Sequence, residues 1–144
     1  MTPPKPWVNV AAFCEKVLIE RDSVVSAIRI VDVVMVPDDA PRGAAIPLSV
    51  LVVLRAGDFI GDAQVSLMLE EPDGTRKPFP EKWPVMFPGN EQGGVNLVVN
   101  FALAVQTLGL YWVEIIWNDE ILTRIPLKLV RALAQNAVPQ QSLP

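Results

Sequence analysis

The chain has 144 residues, enough for one domain with a continuous core, and hydrophobic residues make up 51% of it. Its net charge is −4, and the basic residues are scattered rather than gathered into a stripe. This balance disfavours nucleic acid and anionic membranes as partners, because basic side chains supply most of the affinity for both. The surplus of apolar residues indicates an exposed apolar surface, which is typical of contacts between proteins.

Cys14 is the only cysteine, so the chain has no internal disulfide, which is typical of a reducing compartment. Prolines precede the first apolar run, unlike the apolar start of a secretory signal. No run reaches the roughly 18 uninterrupted apolar residues of a membrane helix. We therefore expect a cytoplasmic protein that makes no contact with a membrane.

The first predicted element is a hairpin of two long apolar runs, 8–20 and 24–36. A half-buried strand alternates apolar and polar residues, so near-continuous apolarity predicts that both faces of this hairpin are covered. Charges inside the runs must be paired if they are buried, and we expect Arg29 to pair with Glu15 or Glu20. Such a pair would either set the register of the hairpin or anchor a protein–protein interface.

The remaining predicted strands are separated by prolines and turns, which leaves little room for helices. Glu71-Pro72-Asp73-Gly74 predicts a tight turn with Gly74 at positive φ. Pro126 must lie at an edge or a bulge, because proline leaves an amide position without a donor. The strands are 47–55, 62–70, a weak one near 83–87, 95–103, and a final hairpin of 110–117 and 121–130.

About eight strands predict an all-β fold, an antiparallel β-sandwich with an immunoglobulin-like or C2-like Greek key. Gly109-Leu110-Tyr111, at the start of the penultimate strand, resembles the tyrosine corner of such sandwiches. We expect residues 1–6 to form an N-terminal extension, 7–131 a single sandwich domain, and 132–144 a flexible tail.

No catalytic motif stands out, and the chain contains no histidine, which excludes Ser-His-Asp and Cys-His pairs. Cys14 lies in an apolar run and is interpreted as a small buried hydrophobe rather than a nucleophile. We therefore expect neither enzymatic activity nor a cofactor. Asp58, Asp62 and Asp73 lie in predicted turns and are a weak alternative as calcium ligands, although no Asp-x-Asp pair occurs and solvated turn acids are the favoured interpretation.

The tryptophans raise a carbohydrate-binding alternative, in which exposed indole rings stack on sugars. Alternation along 110–117 places Trp112 and Trp117 on opposite faces, so we expect one in the core and the other outward. The chain shows no row of tryptophans, and core or protein-interface positions are favoured for these rings.

Both ends of the domain resemble a family of short, uncharacterised bacterial proteins. The N-terminal similarity rests on Cys14-Glu15-Lys16-Val17-Leu18, Glu20-x-Asp22-x-Val24 and Ser26-x-Ile28-Arg29-Ile30-Val31-Asp32. The C-terminal similarity rests on Gly109-Leu110-Tyr111-Trp112 and Arg124-Ile125-Pro126-Leu127. Many of those proteins have glycine where Ser23 stands here. The resemblance implies a bacterial, cytosolic, freestanding domain and supplies no activity or site residues.

The leading hypothesis is a non-enzymatic protein-interaction module that uses the hairpin of residues 8–36. It would self-associate as a homo-oligomer or dock another protein, and the alternative is a sandwich that binds a small ligand, a glycan or calcium. The expected interface residues are Phe13, Glu15, Arg29, Asp32, Val33, Met35 and Trp112.

Overall fold

The computed structural model describes residues 4–89 and 94–132. No helix within these ranges is long and apolar enough to cross a membrane. Their regular structure consists of nine strands: β1 (Trp7–Ile19), β2 (Val25–Val31), β3 (Val33–Val36), β4 (Ala45–Arg55), β5 (Gly61–Glu70), β6 (Arg76–Phe87), β7 (Gly94–Ala104), β8 (Gly109–Trp117) and β9 (Glu120–Arg131).

The strands form two packed sheets, a four-stranded sheet in the order β2-β1-β4-β7 and a five-stranded sheet in the order β3-β9-β8-β5-β6. Strands β4 and β7 lie in one sheet while β5, β8 and β9 lie in the other, as B and E face C, F and G in the immunoglobulin fold. All pairs are antiparallel except β3 with β9. The predicted β-sandwich is confirmed, and its strand order is that of the immunoglobulin-like alternative.

The core lies between the sheets and is built by alternation along each strand. In β4, for example, the side chains of Leu48, Val50, Val52 and Leu54 all point inward and are at most 4% exposed. In β8 the inward side chains are Tyr111, Val113, Ile115 and Trp117, at most 7% exposed; the sequence predicts that these four share one face, and the structure makes it the inner one. Burial of such side chains is the main stabilising contribution, roughly 1.5–3 kcal/mol for each large aliphatic group.

The tyrosine corner is present at the start of β8. The buried Tyr111 hydroxyl donates to the backbone oxygen of Thr107 at 2.6 Å, which ties the preceding crossover to the core. Gly109 has a φ of 130°, and a β-carbon on it would lie 3.2 Å from Pro72, so glycine is required there. The prediction from the Gly-Leu-Tyr motif is confirmed.

Prolines mark strands that have an unpaired side. β6 is much longer than the weak strand expected near 83–87, although it contains Pro78, Pro80 and Pro84. It is the edge of its sheet, where a missing amide donor breaks no ladder bond. Pro126 lies in β9 just before Lys128, where pairing with β3 begins. In the described residues Pro126 is therefore paired only with β8, and its other side is unpaired, as predicted.

The second run of the N-terminal hairpin is two strands rather than one. Val25–Val31 pairs with β1 in the four-stranded sheet, and Val33–Val36 pairs with β9 in the five-stranded sheet. The chain crosses between the sheets at Asp32, whose backbone oxygen accepts from the amide of Lys128. The expectation of one continuous strand over 24–36 was therefore wrong, because apolarity alone does not distinguish the two sheets that share this core.

The ends of the domain pack closely where they are described. Pro6 is fully buried, and Lys5 forms an ion pair with Glu120 at 3.0 Å, so these residues of the expected extension contact the sandwich. The amide of Ala132 donates to the backbone oxygen of Val36. The rest of the expected flexible tail lies outside the described residues.

Candidate interaction surface

The outer surface of the four-stranded sheet is apolar across its centre. Cys14 and Leu51 are almost completely buried, yet both lie outside the core cluster, on the opposite side of the sheet from Phe13 and Val50. The strand register aligns a patch of nine residues on this side. We call it the apolar face: Val10, Ala12, Cys14, Ile28, Ile30, Leu51, Val53, Val98 and the side-chain carbons of Lys16.

Several side chains of the apolar face are exposed to a degree unusual for their size. Ile30 is 66% exposed, Ile28 is 40% exposed and Val10 is 37% exposed. Leu18 and Ile19 extend this exposure to the tip of the hairpin. The hairpin was expected to be covered on both faces; the described residues cover one, and the other is open. An apolar patch of this kind typically marks a contact with another protein.

A row of paired residues crosses the apolar face, and its two central members, Cys14 and Ser49, are buried. Ile30 lies opposite Cys14, Cys14 opposite Ser49, and Ser49 opposite Asn100 in the register of the four strands. The Ser49 hydroxyl donates to Oδ1 of Asn100 at 2.6 Å. Cys14 is buried, and desolvation raises the pKa of its thiol, which suits a structural residue and not a nucleophile.

The expected ion pair of the hairpin forms, but in solvent. Arg29 Nε lies 2.9 Å from a carboxylate oxygen of Glu15, one of the two partners that the sequence predicts, between the register pairs Cys14–Ile30 and Lys16–Ile28. Both side chains are more than half exposed, so the pair is not a buried anchor. An exposed pair of this kind contributes about 0–1 kcal/mol.

The other expected interface residues are not gathered on one surface. Phe13 is 2% exposed and packs against Phe101 in the core, so its expected place on a surface was wrong. Asp32 lies at the crossover, and Val33 and Met35 are exposed on β3, in the other sheet. The hairpin pattern could not show this division, because it follows from where β3 finds its partner.

Trp112 lies on the outer side of the five-stranded sheet, in a charged cluster. The Arg124 guanidinium stacks 3.9 Å from the centre of its ring and lies 3.3 Å from Glu70. Next to them Arg76 pairs with Glu114, which is only 5% exposed. The sequence signal for this cluster was Glu114, a charged residue within an apolar strand. Its partner Arg76 lies 38 residues away along the chain and was not predicted.

The three aspartates of the calcium alternative do not converge. Asp62 is the second residue of β5, Asp58 precedes that strand, and Asp73 lies in the turn after it, at the opposite end of the sandwich. Asp73 accepts from the backbone amide of Thr75 at 2.9 Å, which lowers the pKa of its carboxyl group and explains it as a turn former. Within residues 4–89 and 94–132 no three acidic or thiol side chains are grouped as metal ligands would be.

No known family model matches the chain, and no curated protein matches it. Among solved structures it resembles the alkylpurine DNA glycosylase AlkC of Pseudomonas fluorescens bound to DNA containing an abasic site analog, with a TM-score of 0.56 and 12% identity over 90% of this chain. The chain spans only 31% of that protein.

Two further structures match more weakly. A CARDB domain from Pyrococcus furiosus in complex with di-metal ions has a TM-score of 0.42 and 14% identity, and the match covers 90% of this chain and 95% of that one. An immunoglobulin-like protein from Pseudomonas aeruginosa has a TM-score of 0.39 and 13% identity, covering 88% and 97%. At 12% identity, the likeness to a part of AlkC is one of fold alone.

Proposed function

We propose that this protein is a non-enzymatic, cytoplasmic protein-interaction module that self-associates or docks another protein through its apolar face. An immunoglobulin-like sandwich is compatible with that role, since the scaffold is rigid and its surfaces are free to bind. The observation that carries the proposal is the exposure of Ile28 and Ile30 beside the nearly inaccessible Cys14 and Leu51 on one sheet face.

Packing and charge both favour a protein as the occupant. The centre of the face carries aliphatic side chains, the Cys14 thiol and the Ser49–Asn100 hydrogen bond, and its margin carries the exposed polar side chains of Lys16, Asn96 and Asn100. An apolar centre with polar groups at its rim is the usual anatomy of a protein interface. A glycan would instead need exposed rings and hydrogen-bonding groups across the face.

Sedimentation velocity over a range of concentrations tests self-association through this face. We expect Ile30→Glu to weaken association at least about tenfold, because one carboxylate would have to be desolvated in the contact. The matched control is Ile60→Glu, since Ile60 is 68% exposed but lies in the loop after β4. The control should associate as the wild type does.

Two results would count against the proposal. One is equal behaviour of the Ile30 and Ile60 variants. The other is a wild-type chain that stays monomeric while the amides of residues 24–36 exchange freely with solvent. Thermal melts of both variants establish that any loss of association occurs in folded protein.

A further inference from the structure

Two open sheets leave four edge strands, and three of the four are blocked against pairing. Edges present unpaired N–H and C=O groups to other chains unless prolines, charges, bends or short length prevent it. β6 carries three prolines, and β3 has only four residues. β2 contains the charged Arg29, whose φ of 54° departs from the extended geometry that strand pairing needs.

The fourth edge, β7, has none of these protections. Its eleven residues, Gly94–Ala104, include no proline and no charged side chain. β4 lies on one side of it, and in the described ranges no strand lies on the other. A long uncharged edge of this kind is a template for another strand.

The hydrogen bonds of Val105, just beyond β7, show which residues of β7 point their N–H and C=O groups toward the free edge. Val105 donates its amide to Ala44 and accepts from the amide of Gly43, so its backbone groups face the β4 side. Because these directions alternate along a strand, the backbone groups of Asn96, Val98 and Asn100 face the free side. The same residues place their side chains on the outer surface of the sheet.

We propose that β7 pairs antiparallel with β7 of a second copy of this chain, about a twofold axis at Val98. The asparagines select this register, since Asn100 then lies opposite Asn96 of the second copy, twice by symmetry. Oδ1 of Asn100 already accepts from Ser49, so its amide NH2 group is left to donate across the new pair. Registers centred on Leu97 or Val99 oppose asparagine to valine, alanine or glycine.

The groove beside β7 supports the same occupant. It has a volume of about 290 Å3, lies between the β6 and β7 edges, and is lined by Phe79, Phe101 and Leu103. In the proposed register Val95 of the second copy lies opposite Phe101 on the inward side, where it would cover part of this apolar wall. The prolines of β6 keep the other sheet from pairing at the same time.

The dimer would contain one eight-stranded sheet with the order β2-β1-β4-β7-β7-β4-β1-β2. Its outer surface would join the apolar faces of the two copies and leave a hairpin at each end. The inference goes beyond the proposed function, because edge pairing at β7 does not use the hairpin and leaves it free to bind.

A charge-swap experiment tests the pairing. Val98→Lys and Val98→Glu each place two like charges opposite one another at the twofold axis, so we expect each variant alone to sediment as a monomer. An equimolar mixture opposes lysine to glutamate and should restore the dimer at wild-type concentrations. Met86→Lys, on the blocked β6 edge, is the matched control and should remain dimeric.

A second measurement needs no variant. In the monomer the amides of Asn96, Val98 and Asn100 have no ladder partner, so their hydrogen exchange should slow as protein concentration rises through the dimerisation range. A wild-type chain that stays monomeric, a dimer unaffected by Val98→Lys, or exchange independent of concentration would overturn the inference. Association lost in Ile30→Glu but kept in Val98→Lys would overturn it while supporting association through the apolar face. Because Val98 also belongs to that face, loss of association in Val98→Lys supports pairing at β7 only if the equimolar mixture restores the dimer and the β7 amides become protected.

Discussion

Four residues other than glycine adopt left-handed backbone conformations in the described ranges, and they mark where the fold is under local strain. Asn118 and Asp119 form the β8–β9 turn, where φ is positive at both central positions and these residue types are favoured. The other two, Ser23 and Arg29, belong to the N-terminal hairpin. The hairpin therefore carries strain at the turn and in its edge strand.

Ser23→Gly should stabilise the protein. Ser23 has a φ of 68°, a conformation that costs a residue with a β-carbon more than it costs glycine. The greater conformational entropy of glycine in the unfolded chain offsets part of this gain. We therefore expect the free energy of unfolding to rise by a net amount of about 0.5–1 kcal/mol. Urea unfolding followed by tryptophan fluorescence measures it.

Ser26→Gly is the control for that substitution. Ser26 lies in β2 outside the left-handed region, so glycine there should lower the free energy of unfolding by about 0.5–1 kcal/mol. If both variants shift stability in the same direction, strain at Ser23 is not the cause.

Ion pairs between strands differ in their contribution to the free energy of unfolding, because they differ in burial. Glu114 on β8 is nearly inaccessible and pairs with Arg76 on β6, two strands away across β5, whereas Glu15 and Arg29 are both exposed. Removing one partner of a buried pair leaves an uncompensated charge, while an exposed charge is taken up by water.

Arg76→Ala should therefore cost more than Arg29→Ala. We expect a loss of about 1–3 kcal/mol for the first, reduced from the fully buried case because Arg76 is itself half-exposed, and below about 1 kcal/mol for the second. The measurement is the denaturant midpoint of each variant. Equal losses would show that Glu114 is solvated when Arg76 is absent.

The elements themselves were largely predictable from sequence. Alternation along residues 62–70 and 95–103 is a local property with a period of two, so it reports both the strand and its inward face. β6 was shortened in the prediction because Pro78 and Pro80 were interpreted as breaks. Only the position of β6 at a sheet edge makes those prolines acceptable within a strand.

At the scale of the whole molecule, three phenylalanines connect the two sheets near the β6 and β7 edges of the sandwich. Phe101 on β7 lies 6.4 Å from Phe13 on β1 and 5.2 Å from Phe79 on β6, measured between ring centres. Phe79 belongs to the five-stranded sheet and the other two to the four-stranded sheet. These contacts couple the packing of one sheet to that of the other.

Phe101→Ala should lower the free energy of unfolding by about 2–4 kcal/mol, slightly less than a fully buried phenylalanine because Phe101 is partly exposed. We expect unfolding to remain one transition, since both sheets share a single core. Tryptophan fluorescence and far-ultraviolet circular dichroism should give the same midpoint. Separate midpoints would mean that the sheets unfold independently.

The sequence by itself determined the all-β class, most strands and their inward residues, the tyrosine corner, and a partner for Arg29 on the neighbouring strand, either Glu15 or Glu20. All of these follow from short-range periodicity, turn chemistry or neighbouring strands of one hairpin. It also indicated an apolar N-terminal hairpin, but not that one side of it would be left open.

Only the tertiary structure decided how that hairpin is used. The division of residues 24–36 between two sheets, the burial of Phe13, the Arg76–Glu114 pair and the unprotected edge of β7 all depend on strands distant in sequence. The physical reason is that an apolar residue gains similar free energy from any apolar neighbour, so its pattern predicts burial without naming the partner. Strand order and register determine which residues are in contact, and both are properties of the assembled sandwich.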